Sequence, residues 1–365
     1  MSELPLDMDG SALSVQKGVR APAGLRPEAA KTRIRRRRRS LAEYVEGVLR
    51  GDRTILAQAI TLIESLREDD VELAQDILEH CLPHSGNSIR VGVTGVPGAG
   101  KSTLIDALGS YLIRERGERV AVLAIDPTSE LSGGSILGDK TRMERLAAEE
   151  NAFVRPSPSG GSLGGVARRT RETMLLCEAA GYRNIIVETV GVGQSETAVR
   201  SMVDFFLLLM IAGAGDELQG IKRGIMEMAN LIAINKADGD NRLRAQAARR
   251  EFESALHLFP ASPSGWMPRV ITCSAKTGEG IAEMWNAVLE HHAWLKRNGH
   301  FESLRREQAK KWMYEVIDQG LKQEFRNHPR IRQALPAMES EVASGRVSSF
   351  RAAECLLKLY RETKS

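Results

Sequence analysis

Aromatic residues make up only 5% of this 365-residue chain. That scarcity argues against a platform for single-stranded nucleic acid, which needs ring after ring for bases to stack on. Cysteine is as sparse: Cys81, Cys177, Cys273 and Cys355 form no CxxC and no Cys/His cluster. Their scatter argues for reduced thiols and against a disulfide framework or zinc. No run approaches the roughly 18 continuous apolar residues of a membrane span; the longest, Phe205 to Ala212, is far too short. Met1 to Lys31 carries acidic, proline and glycine residues but no apolar core of the secretory kind. A strong charge of one sign is also lacking. The formal charge is +4, and Arg33 with the run Arg35 to Arg39 outweighs it, so the remainder is close to neutral. Such a run reads as a solvated tail. A cytoplasmic protein is expected, with no membrane and no nucleic-acid partner.

What is present is the hydrophobic fraction of a globular protein, 42%, beside 27% charged residues. Residues 1–39 read as a disordered basic leader. From Ser40, a candidate N-cap, apolar residues recur at helical spacing: Leu41, Tyr44, Val45 and Val48, then Ile55, Ala59, Ile60 and Ile63, then Val71, Ala74, Ile77 and Leu78. Residues 40–85 are therefore predicted to form a helical prefix. Over residues 86–299 β-rich runs alternate with amphipathic stretches, the pattern of βαβ units. Six strands are predicted: Ile89 to Thr94, Val120 to Ile125, Asn184 to Val187, Phe205 to Ile211, Leu231 to Ile234 and Val270 to Cys273. The expected fold is α/β, a mostly parallel sheet flanked by helices. Residues 300–365 return to helical spacing, with Trp312, Val316, Ile317 and Leu321, then Ala352, Leu356, Leu357 and Tyr360. The pattern leaves open whether these faces cover their own domain or a second copy.

Gly95-Val96-Pro97-Gly98-Ala99-Gly100-Lys101-Ser102, followed by Thr103, is a full GxxxxGK[ST] between a predicted strand and a predicted helix. This P-loop context turns successive backbone N–H groups toward phosphate oxygens, with Lys101 reaching the β- and γ-phosphates and Ser102 ligating magnesium. Asn235-Lys236-Ala237-Asp238 names the base. Asp238 can accept from both N1–H and the 2-amino group of guanine; adenine offers neither, and an unpaired buried carboxylate costs about 1–3 kcal/mol or more. Ser274-Ala275-Lys276 follows the last predicted strand and backs the guanine.

Glu188-Thr189-Val190-Gly191 closes the third predicted strand. Glu188 brings a carboxylate to the magnesium shell, and Gly191 offers an N–H that senses the γ-phosphate. Asp126 and Asp139 are further candidate metal ligands. Between them Ser132-Gly133-Gly134-Ser135 reads as a switch that orders around nucleotide. No glutamine directly follows Gly191; Gln194 is the candidate water-positioner, which predicts slow intrinsic turnover accelerated by a partner.

Together with Gly138 to Met143, Arg155-Pro156-Ser157-Pro158, Val192 to Glu196 and Gly213 to Lys222, these motifs make the chain resemble the MeaB/ArgK/MMAA family from about residue 40 to the end. Its members are G-protein chaperones of adenosylcobalamin-dependent methylmalonyl-CoA mutase. The resemblance implies a P-loop GTPase that gates cobalamin loading and protects or reactivates the mutase, and a homodimer made through the carboxyl-terminal extension. It also implies that Asp126, Asp139 and Glu188 surround the metal, and that Asp216, Glu217 and Lys222 couple nucleotide state to the mutase. Two other classes compete. A nickel-inserting metallochaperone GTPase needs a Cys/His loading site, and His291-His292 reads instead as the polar end of a helix. A transport-linked (lysine/arginine/ornithine) ATPase or kinase conflicts with the guanine-reading Asp238.

Overall fold

The central strands are apolar from end to end, as in Phe205–Ile211 and Leu231–Asn235. Strands of that kind need cover on both faces, which a parallel sheet with helices on each side supplies. The computed structural model describes residues 39–125, 143–156, 163–189, 195–213, 223–259, 262 and 264–362. Its sheet has seven strands: β1 (Ile89–Gly95), β2 (Val120–Ile125), β3 (Ala152–Arg155), β4 (Asn184–Thr189), β5 (Phe205–Ile211), β6 (Leu231–Asn235) and β7 (Arg269–Thr272). They lie in the order β3-β2-β4-β1-β5-β6-β7, every adjacent pair parallel. All carboxyl ends therefore fall on one rim, and β1 stands where the connections diverge to either side, the place where open α/β sheets bind ligands.

The helices are α1 (Leu41–Leu49), α2 (Arg53–Glu64), α3 (Glu68–Cys81), α4 (Lys101–Arg114), α5 (Glu144–Ala148), α6 (Leu163–Ala179), α7 (Ser195–Arg200), α8 (Arg223–Met228), α9 (Arg242–Leu256), α10 (Ile281–Arg297), α11 (His300–Asn327), α12 (Pro329–Ala343) and α13 (Ser349–Arg361). The prefix helices α1 to α3 share one apolar core with the sheet. Asp52 caps α2 by accepting from the amides of Thr54 and Ile55. Arg155, at the end of β3, forms an ion pair with Glu64 of α2, tying the prefix to the sheet edge.

Strand β3, the start of the buried face of α3 and the two histidines of α10 differ from the sequence reading. Strand β3 went unpredicted, because four residues at a sheet edge carry too short a pattern to register. Val71 is exposed whereas Ala74, Ile77 and Leu78 are buried, so the buried face of α3 begins one turn later. The basic leader lies outside the described residues apart from Arg39. His291 and His292 sit inside α10, not at a polar end. His291 is 3% exposed, its Nε2 accepts from Asn230 Nδ2 at 3.2 Å, and its ring meets Phe205 and Trp266 edge-on. Burial pushes its pKa down to about 4, so the ring is neutral near pH 7 and serves packing.

The carboxyl-terminal helices divide their surfaces. Near its start, α11 docks on the amino-terminal rim: Arg305 grips Asp204 through Nε and Nη2, each at 2.6 Å, and donates to the Ser88 carbonyl. Gln308 and Trp312 donate to the carbonyls of Val203 and Ser201. Farther along, Met313, Tyr314, Ile317 and Leu321 are exposed, as is Phe350 on α13 at 85%. Among the described residues, no helix is long and apolar enough to cross a membrane.

A buried ionic network locks that rim. Glu178 of α6 accepts from Arg90 Nε and Nη2 at 2.8 and 2.9 Å, from Ser88 Oγ and from the Gly86 amide, and Arg305 stands 3.6 Å away. Burial alone would push the Glu178 carboxyl up, but Arg90, Ser88 and Arg305 overcome it and hold the group below its ordinary value. A depressed carboxylate stabilises the fold above its unfolded pKa of about 4.3 and loses that contribution as the pH falls through the folded value. Glu178→Gln, which strands Arg90, is expected to lower stability at pH 7 by about 3–5 kcal/mol. Denaturant unfolding across pH 3–7 checks it: the acid-side fall in stability should be shallower in the variant than in the parent.

Candidate functional site

Strand β1 runs straight into the glycine-rich turn. A Cβ on Gly95 would stand 2.9 Å from Leu209 Cβ and nearer still to the Leu209 carbonyl, so β5 lies too close for any side chain there. Gly98 and Gly100 hold positive φ, 77° and 86°, the left-handed conformation that lets the chain curl before α4 begins at Lys101. The turn thus ends at a helix amino terminus, where unsatisfied N–H groups and the helix dipole favour an anion. The Lys101 ammonium is 2.8 Å from the Gly95 carbonyl and 3.4 Å from that of Val96, spanning the turn from below. Val96 and Ala99 are buried, whereas Pro97 and Gly98 are exposed at the crest.

Parallel register puts Glu188 of β4 beside Val93 of β1 and Ala124 of β2. Glu188 is 6% exposed, and its Oε1 accepts from Ser102 Oγ at 2.9 Å. A buried carboxylate and a hydroxyl at hydrogen-bond distance are the hard oxygen donors that a small divalent cation takes. Thr103 is the next residue along α4. Among the described residues no group of three His, Cys, Asp or Glu could hold a metal. Asp126, Asp139, Gly191, Gln194, Asp216, Glu217 and Lys222 lie outside the described residues.

The motif Asn235 to Asp238 arrives on the same rim. Asn235 ends β6 and is 2% exposed. Its Nδ2 donates to the Ala99 carbonyl at 2.8 Å, while its Oδ1 accepts from the Ala275 amide at 3.1 Å. One amide therefore ties the phosphate turn to the loop after β7. Lys236 is exposed and is the one non-glycine residue with positive φ among those described, 58°. Asp238 is half-buried, and its Oδ1 accepts from Ser274 Oγ at 2.8 Å. The Ala237 amide donates to the Cys273 carbonyl, so the two loops are joined by backbone as well. Ser274 and Cys273 are buried and Lys276 is exposed. Burial pushes the Cys273 thiol up to about 12, with Glu283 adding to it, so the sulfur is a packing group.

The structure thus brings together Lys101, Ser102 and Glu188 at one end and Asn235, Asp238, Ser274 and Ala275 at the other, linked through Ala99. The sequence signalled Asn235 as part of a motif, but nothing in spacing foretold that its side chain would reach Ala99, 136 positions away. Cavity size does not mark the site. A cavity of about 610 Å³, walled by Leu82, Arg183, Lys296, Phe301 and Trp312, lies at the opposite rim and includes none of these residues.

Known proteins resemble this chain over most of its length. Residues 56–330 match the family model described as "Methylmalonyl Co-A mutase-associated GTPase MeaB". "GTPase ArgK" of Escherichia coli (strain K12) is 48% identical over 325 residues, covering 88% of this chain and 98% of that protein. "Methylmalonic aciduria type A homolog, mitochondrial" of Mus musculus is 48% identical over 325 residues, covering 86% and 78%. A solved structure described as "Crystal structure of LAO/AO transport system kinase" superposes with a TM-score of 0.70 at 40% identity, covering 88% of this chain and 97% of that one. The phosphate turn, the guanine motif and a match over three quarters of the sequence lead to one assignment: the chain belongs to the MeaB family of methylmalonyl Co-A mutase-associated GTPases.

Proposed function

We propose that this GTPase holds Mg·GTP between the 95–102 turn and Asp238, and that its cycle gates cobalamin loading and protects or reactivates its mutase. The observation that carries the site is the pair of hydrogen bonds made by the Asn235 side chain, donated to the Ala99 carbonyl and accepted from the Ala275 amide. It supports one nucleotide spanning both motifs. Asp238 accepts from guanine N1–H and the 2-amino group, with Ser274 fixing the carboxylate. Ser274, Ala275 and Lys276 form the wall behind the base. Residues Gly95 to Thr103 cup the phosphates, and the Lys101 ammonium offsets the negative charge on the β- and γ-phosphate oxygens.

Ser102 Oγ and Glu188 would hold magnesium, which neutralises charge on those oxygens when bound. Asp126 and Asp139 are proposed to complete the shell. In hydrolysis, water adds to the γ-phosphorus as the bond to the β–γ bridging oxygen breaks, giving GDP and inorganic phosphate. Gly191 and Gln194 are proposed to orient that water. Asp216, Glu217 and Lys222 are proposed to carry the nucleotide state to the mutase. Slow intrinsic turnover, raised by the partner, is the regime such a site favours.

The exposed apolar face of α11 and α13 supports a homodimer through residues 300–365. A cytoplasmic location fits the reduced, scattered cysteines. The solved relative is described as a transport system kinase; the Asp238–Ser274 pair supports GTP for this chain.

Asp238→Asn should weaken GTP binding by about 10²-fold or more and improve binding of xanthosine triphosphate, because a carboxamide N–H donates to a 2-oxo group. Nucleotide titrations check this, and a parent chain that prefers ATP contradicts the reading. Turnover of GTP should rise when the cognate methylmalonyl-CoA mutase is added; an unchanged rate counts against the chaperone role. Ile317→Glu combined with Leu321→Glu should convert a dimer to a monomer by light scattering, with GTP binding retained.

A further inference from the structure

We propose that the buried hydroxyl pair of Thr94 and Thr189 is a positioning device that fixes how far Glu188 stands from Ser102. Thr94 is the penultimate residue of β1 and Thr189 the last of β4, and both are 0% exposed. Thr189 Oγ1 donates to Thr94 Oγ1 at 2.9 Å. The backbone register between the two strands runs from Ile89↔Asn184 to Val93↔Glu188. The hydroxyl bond therefore continues the pairing one residue beyond that register. Past it, β1 leaves through Gly95 into the phosphate turn.

Alternation along a strand puts Thr189 on the face opposite Glu188. The pair acts through the backbone, one residue away from Glu188 on one strand and from Gly95 on the other.

Stability alone does not call for threonine here. Each buried hydroxyl is costly unless it is bonded, and valine fills the same volume without that cost. What threonine supplies is closeness. Two hydroxyl oxygens sit at 2.9 Å, whereas two carbon atoms settle at about 3.5–4.0 Å. A valine pair would spread the two strand ends by up to about 1 Å. A shift of that size at a reacting centre costs on the order of 10²-fold. It falls between the strand that bears Glu188 and the strand that leads to Ser102.

This inference rests on reading Ser102 and Glu188 as magnesium ligands, so the test separates the two. Full-length Thr94→Val/Thr189→Val is titrated with fluorescently labelled GDP in magnesium and in EDTA, and its thermal midpoint is measured. In EDTA the variant should bind within about 2-fold of the parent, and its midpoint should lie within about 4 °C. The gain in affinity that magnesium gives the parent should fall about 10-fold in the variant, and GTP turnover should fall with it. Thr189→Ser keeps the hydroxyl and should keep the parent's magnesium gain. A double-valine variant with the full magnesium gain overturns the proposal. So does an equal loss of affinity in EDTA and magnesium, which marks the pair as structural only. So does a Thr189→Ser variant as impaired as the double valine. Ser102→Ala, run alongside, tests the ligand reading: if it retains the full magnesium gain, that reading fails and this proposal fails with it.

Discussion

The side-chain amide of Asn235 holds both halves of the proposed nucleotide site in one frame. Its donor end reaches Ala99 in the phosphate turn and its acceptor end takes the Ala275 amide. An amide has both ends to give; an aspartate or a leucine of similar size has at most one. Because Asn235 is buried, neither bond is exchanged with water, and the distance between phosphate turn and base loop is set before any nucleotide arrives. A rigid frame of this kind lets a ligand spend little of its binding energy on ordering the protein.

The all-parallel sheet makes such a bond possible, and the opposite rim keeps the sheet in register. There Arg90, Glu178, Asp204 and Arg305 satisfy one another, so that rim is electrostatically closed. The carboxyl-terminal rim instead ends in glycines, hydroxyls and carboxylates directed at one place. Charge is neutralised internally where the fold is locked, and kept for a ligand at the rim where the chemistry is proposed. Helix α11 joins the two functions, with its first turns pinned to Asp204 and its later turns presenting apolar side chains outward.

Much of this was legible in the sequence because the motifs carry their own geometry. The glycines of the 95–102 run could be read as a turn that faces N–H groups inward, and six of the seven strands as apolar runs ending at motifs. Membership of the family was legible too, from long motifs such as Glu188 to Glu196 read together with the P-loop. What was not legible is pairwise and long-range. Strand β3 is too short for its period to register. His291 looks polar in sequence, and only packing against Phe205 and Trp266 explains a neutral buried ring. The Thr94–Thr189 bond links positions 95 residues apart, and no local pattern marks either one as paired.

A crystal structure of the full chain with Mg·GDP tests the central claim most directly. The account predicts the β-phosphate inside the 95–102 turn and guanine N1 and N2 within about 3 Å of the Asp238 carboxylate, with the Asn235 amide still joining Ala99 to Ala275. A base bound away from Asp238, or an Asn235 side chain released from Ala99, would contradict it.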